Sequence, residues 1–282
     1  MSARRWIGSA WAIGLVPSAL AAQLCTPSKS SNEAKLLATF AVPLAFSQLG
    51  ALEAAPAERV RVGLEMYYLP TADSISSIPN ICRPGKLEGD NTDLLFAAPR
   101  PRLAIALGRG WAVEGSWTPP VRLSGVKANL VGFALSKTSR LGHGGAVLSL
   151  SGHGTFGVVH APVTCDDRRI ALAGSECFGG TRSDDAYHPN VAGIDASIGW
   201  TSSKKLQPYF GAGYNHLAPR FRVHFVNSDG VLDQQRVEVD LDRIVVFAGA
   251  TWRAASKLGV SGEIYAAPAD AVTGRVAVRL GL

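Results

Sequence analysis

The strongest constraint on this 282-residue chain is a period of two that recurs along most of its length. In residues 59–69, Val60, Val62, Leu64, Met66 and Tyr68 fall on one face of an extended segment, and Arg59, Arg61, Gly63, Glu65 and Tyr67 fall on the other. Residues 190–201 repeat the pattern, with Ala192, Ile194, Ala196, Ile198 and Trp200 opposite Gly193, Asp195, Ser197 and Gly199. The end of the chain does so again, with Val276, Val278, Leu280 and Leu282 against Arg275, Ala277, Arg279 and Gly281. Successive side chains of a strand point to opposite faces, so each segment reads as a strand with one apolar and one polar face.

Ten such strands are expected, over 58–69, 100–108, 111–118, 121–137, 144–160, 190–201, 205–226, 235–252, 256–266 and 273–282. The connections between them alternate in length, with a tight Pro119-Pro120 link as the exception. Long ones, above all 70–99 and 161–189, fall between strands joined elsewhere by short turns such as Arg109-Gly110. An even strand count, with long loops at one end and tight turns at the other, is the pattern of a transmembrane barrel. The predicted fold is therefore all-β: an antiparallel up-and-down transmembrane barrel of about ten strands, with a short N-terminal helical segment. A soluble sandwich would also alternate, but its packed interior does not tolerate the charges carried by the polar faces here. Those charges make Arg61, Glu65, Glu114, Asp195, Glu263, Arg275 and Arg279 the expected lumen-lining residues, able to set ion selectivity as charged rings or to close the pore as ion pairs. The apolar faces end in Tyr68, Trp117, Trp200, Tyr214 and Trp252, placed as aromatic girdles are.

Two strands change phase partway. Apolar positions shift from Tyr214 and His216 to Phe221, Val223 and Phe225, and from Val237, Val239 and Leu241 to Ile244, Val246 and Ala248. Read as lipid-facing on both sides of the slip, these residues imply a bulge or bend. The charged halves, with Arg220, Arg222, Arg236, Glu238 and Asp240, are then expected to project beyond the membrane.

The first residues address the chain for export. Arg4 and Arg5 precede an apolar run from Trp6 to Val16, and Ala19-Leu20-Ala21 supplies a small-residue cleavage pattern, so residues 1–22 read as a signal peptide. Cys25 invites acylation, but Leu24 stands where that reaction needs a small residue. The expected organisation is a signal over 1–22, an N-terminal segment over 23–57 and the barrel over 58–282. Exported cysteines meet an oxidising compartment, so Cys165 and Cys177 are expected to staple the loop between them.

At Gln207-Pro208-Tyr209-Phe210-Gly211-Ala212-Gly213-Tyr214 and at the terminal strand VAVRLGL the sequence resembles the bacterial outer-membrane β-barrel superfamily, in particular porin-like and OmpA- or OmpW-like barrels. The resemblance covers about 58–282 and implies residence in the bacterial outer membrane, reached through the barrel-assembly machinery. The terminal strand departs from the pattern by ending in Leu282 where an aromatic residue is usual.

Residues 30–57 begin with Ser31-Asn32-Glu33 and follow a helical pattern through Leu36, Leu37, Phe40 and Leu44. The expectation is a short periplasmic or interfacial helix broken at Pro43. The alternative is a plug entering the lumen, which would bring Cys25 to Cys82 but would be tight in a ten-stranded barrel.

Barrel-type lipid hydrolases place a His two residues before a nucleophilic Ser. Here the nearest match is His153-Gly154-Thr155, read as two lumenal side chains, and no catalytic residue is expected. No metal or cofactor site is expected either. The acids at 166–167 and 184–185 lie among arginines and read as solvated loop charges. The functional expectation is a narrow channel, a transporter or a structural scaffold with a charged lumen. The alternatives are a lipid hydrolase using His153, and an adhesion or binding protein acting through loops 70–99 and 161–189. The net charge of +6 comes without a basic helix, so membrane lipids and lipopolysaccharide, not nucleic acid, are the expected partners.

Overall fold

A computed structural model describes residues 23–50, 53, 58–69, 81–83, 95–142, 145–200 and 205–282. The expected signal peptide and most of loop 70–99 lie outside the described residues.

In chain order the elements are β1 (Leu24–Cys25), α1 (Asn32–Leu44), β2 (Val60–Tyr68), β3 (Ala97–Gly108), β4 (Trp111–Thr118), β5 (Arg122–Leu123), β6 (Val126–Leu141) and β7 (Ala146–Ala161). They continue with α2 (Asp167–Ile170), β8 (Asp185–His188), β9 (Val191–Trp200), β10 (Leu206–Leu217), β11 (Arg220–Arg222), β12 (Phe225–Val226), β13 (Leu232–Asp233) and β14 (Arg236–Glu238). The chain ends with β15 (Leu241–Arg253), β16 (Leu258–Ala267) and β17 (Ala271–Gly281).

Ten strands form the wall in the order β2, β3, β4, β6, β7, β9, β10, β15, β16, β17, every neighbouring pair antiparallel. The ring closes where β17 pairs with β2, from Arg275 opposite Tyr67 to Gly281 opposite Arg61. Closure leaves no unpaired strand edge in the wall, the condition for a sheet to cross hydrocarbon. No helix among the described residues is long and apolar enough to cross a membrane.

The pleat sorts side chains as the alternation predicts. Val62, Leu64, Met66, Leu103, Phe133, Ile194, Ile244, Ile264 and Val276 are exposed on the outside, while Glu65, Arg102, Glu114, Asp195, Glu263 and Arg275 are buried inside. An apolar exterior around a polar interior is the arrangement a lipid solvent imposes. Trp117, Tyr68 and Tyr214 sit near the long-loop end of the wall; Trp200, Trp252 and the further Trp111 sit at the short-turn end.

The long-loop end is built up beyond the wall. β8, β11 and β14 extend the sheet side by side, β1 joins β14 in parallel, and β12 pairs with β13. The two phase slips are explained here, and one expectation is corrected. The strands end at Leu217 and begin again at Leu241, with Pro219 between β10 and β11. Phe221, Val223 and Phe225 are not lipid-facing: Val223 and Phe225 are buried with Cys165 and Cys177, and Phe221 packs against them. Val237, Val239 and Leu241 likewise turn inward onto α1, while Ile244, Val246 and Ala248 face out as expected. The apolar residues beyond each slip cover a cap instead of meeting lipid.

The N-terminal segment is the second correction. It is not interfacial; it threads the lumen. Ser31 caps α1 by accepting from the Ala34 amide, and Pro43 is accommodated in the last turn. Ala34, Leu37, Ala38, Ala41 and Val42 pack against wall residues Val147, Val191, Tyr209, Val245, Phe247 and Tyr265. Beyond Leu44 the chain continues extended past Phe46, Ser47 and Gln48 toward the short-turn end, where Glu53 meets Arg61 and Arg253. The Cys25–Cys82 disulfide ties its start to the first long loop, across 57 residues of sequence. The expected Cys165–Cys177 bridge is also formed.

Candidate functional site: a plugged, charged lumen

β3 organises the lumen. Its alternation brings Ala98, Arg100, Arg102 and Ala104 inside and leaves Pro99, Pro101 and Leu103 outside. Proline lacks the amide a central strand needs. Pro99 and Pro101 lie where β3 pairs with β2 only, since pairing with β4 begins at Arg102.

Glu65 is fully buried and sits between two guanidiniums. Arg100 binds it with two nitrogens, at 3.0 and 2.7 Å, and Arg102 donates to the same carboxylate. Arg102 also donates to Glu114 at 2.7 Å, and Arg279 meets Glu114 at 2.9 Å. Planar forks on shared carboxylates give short, directional, charge-assisted bonds. Glu263 lies 3.6 Å from Arg275 and accepts from the Tyr209 hydroxyl at 3.0 Å. Arg275 stacks over Tyr265 with its guanidinium carbon 3.9 Å from the ring centre.

These same groups hold the thread. Arg100 donates to the Leu44 carbonyl at 3.1 Å, Arg102 to the Ser47 carbonyl at 2.8 Å and Arg275 to the Ser47 hydroxyl at 2.6 Å. The Gly50 amide donates to Tyr209, and the Ser149 hydroxyl donates to Gln48. Phe46 lies beneath both guanidiniums, 4.1 Å from Arg102 and 5.1 Å from Arg100. It enters because Gly132 has no side chain: a Cβ there would stand 2.7 Å from the Phe46 ring. Extended backbone inside a barrel has no strand partner, so these side chains satisfy the groups that would otherwise be orphaned.

Of the expected lumen residues, the structure brings Glu65, Glu114, Glu263, Arg275 and Arg279 to the thread. It places Arg61 at the short-turn end against Glu53, and Asp195 on the opposite wall with His153, 3.0 Å away. Arg100 and Arg102, the two main holders of the thread, are absent from that set, although the alternation of Arg100-Pro101-Arg102-Leu103 carries the signal. Thr155 is lumenal as expected, but its hydroxyl donates to the Leu44 carbonyl at 2.9 Å and accepts from the Phe46 amide at 3.0 Å. His153 faces Asp195 and Asn215, and Asn215 passes the chain of contacts to Tyr265. The pair thus serves the plug and the wall, inside the barrel and away from lipid.

At the long-loop end, the cap is fixed by Asp185. Its carboxylate accepts from the Thr164 amide, the Ser183 hydroxyl and the His224 amide. Burial pushes this carboxyl above the ordinary carboxylate value, against the downward pull of those bonds.

No family model matches the chain, and no curated protein is similar to it by sequence. Several solved structures are similar, each at low identity. Ail, the attachment invasion locus protein of Yersinia pestis, aligns over 79% of this chain and 94% of its own, at 8% identity and a TM-score of 0.31. The CymD monoaromatic hydrocarbon channel aligns over 80% of this chain and 66% of its own, at 10% identity and a TM-score of 0.37. A Pseudomonas aeruginosa FadL homologue aligns over 75% of this chain and 61% of its own, at 14% identity and a TM-score of 0.36. The chain thus spans less than two thirds of the length of the last two. Its closed ring of ten antiparallel strands, apolar outside and charged within, has the architecture of a transmembrane β-barrel.

Proposed function

We propose that the chain is a non-enzymatic barrel of the bacterial outer membrane that works as a narrow conduit closed by its own N-terminal segment. The long-loop end faces outward and the short turns face the periplasm, as in other barrels of this type. The observation that carries this reading is how the plug is held. Its extended part is gripped chiefly by hydrogen bonds from buried arginine side chains of the wall, which water can replace as the plug moves. When the plug withdraws, the exposed lumen carries Arg61, Arg100, Arg102, Arg275 and Arg279 against Glu65, Glu114, Asp195 and Glu263. Glu53 leaves with the plug, so the open path favours anions weakly. Membrane phospholipids are the partners at the short-turn rim, where Arg59, Arg109, Arg140, Lys205, Arg253 and Lys257 are exposed beside Trp111 and Trp252. That combination suits anionic head groups.

Planar-bilayer recordings test the reading. The intact protein should be silent or open rarely, and the Cys25→Ser/Cys82→Ser variant should show frequent, weakly anion-selective steps. A variant folded in the bilayer but silent under every condition would make the protein a sealed scaffold instead.

A further inference from the structure

The helical half of the plug does not fill its end of the barrel. Between α1 and the wall lies a half-open cavity of about 170 Å³. Leu36, Leu37 and Phe40 form its plug side, and Ala98, Ala128 and Leu130 belong to its wall side. The lining is apolar but for Tyr67, Asp185 and Tyr187, and the last two are spent within the protein. Tyr187 donates its hydroxyl to the Leu37 carbonyl at 2.7 Å, and Asp185 accepts the three bonds described above. The cavity therefore offers a guest apolar surface and shape, with the Tyr67 hydroxyl as its one side-chain polar group not bound as described above.

A water needs two to four polar partners to be held, and an apolar cavity of roughly 150 Å³ in another protein stays dry and takes up benzene. We propose that this cavity is the binding site for one small apolar molecule, about the size of a single six-membered aromatic ring. Polar solutes are disfavoured because entry would strip much of their hydration with a single hydroxyl, that of Tyr67, in return. The proposal rests on the plugged-barrel reading in one respect only: α1 is one wall of the site. A bound guest touches Leu37 and Phe40, so occupancy bears directly on the plug.

The test uses the full chain in phosphatidylcholine nanodiscs, with fluorobenzene as the probe read by 19F NMR against empty discs. Saturable binding of one molecule per barrel is expected. Ala128→Phe, which fills the cavity, should weaken binding by about tenfold or more. Phe40→Ala, which enlarges it, should admit 1-fluoronaphthalene that the parent protein excludes. A fluorobenzene signal no different from that of empty discs overturns the proposal. So does equal binding by the parent and by Ala128→Phe, provided that variant keeps the heat-modifiable gel migration of a folded barrel. Phe40→Ala supplies the same decision if Ala128→Phe does not fold. Binding is read on the closed barrel, so its absence leaves the conduit reading standing, and a barrel that never conducts leaves this result intact.

Discussion

The two halves of the lumen hold the same peptide by opposite means. Near the long-loop end, α1 satisfies its own backbone and presents Leu37, Val42 and Leu44 to apolar wall residues. Deeper in, from Leu44 to Gly50, the backbone is extended and the wall answers with Arg100, Arg102, Arg275, Thr155 and Tyr209. Single strands carry both environments. The inward row of β3 runs Ala98, Arg100, Arg102, and that of β2 runs from Tyr67 to Glu65. The wall is thus matched to the conformation of what it encloses: greasy where the peptide is a helix, hydrogen-bonding where it is not.

This contrast predicts where substitutions hurt most. Glu65→Ala should cost the most, about 3–5 kcal/mol, because it leaves Arg100 and Arg102 buried without their shared counter-charge. Urea unfolding of the reconstituted barrel reads this, and a cost under about 1 kcal/mol would show the charged half to be far wetter than its burial implies. Removing the Cys25–Cys82 bridge should cost about 4 kcal/mol from the entropy of its long loop, against about 3 kcal/mol for Cys165–Cys177, whose sequence separation is only 12. Comparing the two double-serine variants in the same assay checks the ranking. Leu44→Ala, where the apolar half ends, should cost about 2–3 kcal/mol, near the lower end for a buried leucine because an adjacent cavity already exists. Ser31→Ala should cost least, about 1 kcal/mol, and faster amide exchange should be confined to the first turn of α1. If Ser31→Ala instead loosened Phe46 and Ser47, the two halves would be one cooperative unit.

The barrel was legible because its cause is local: alternation is written residue by residue, and Val62, Leu64 and Met66 against Arg61, Gly63 and Glu65 leave no second way to pleat. The plug was not, because a helix with small residues at Ala34, Ala38 and Ala41 reads alike on a membrane surface and inside a narrow barrel. Those alanines are the trace it leaves: they let α1 approach a wall that bulkier side chains would have kept away. Arg100 and Arg102 are not singled out by the pattern, because their role depends on the thread, which lies some fifty residues earlier in the chain. Phe221, Val223 and Phe225 misled for a related reason, since a period of two says that one face is apolar without saying whether lipid or protein covers it.

The thread is fixed at both ends: at Cys25 by a covalent tie to the outer loops, and at Val60 by its continuation into the wall. It is a string drawn through a bead and knotted on either side. Such a string cannot be drawn in once both knots are tied, so the segment has to lie in the lumen before the Cys25–Cys82 bridge closes. Nor can it be lost while the knots hold. Any aperture made by slackening it is bounded by the length of chain between them, and resealing needs no search for a displaced piece.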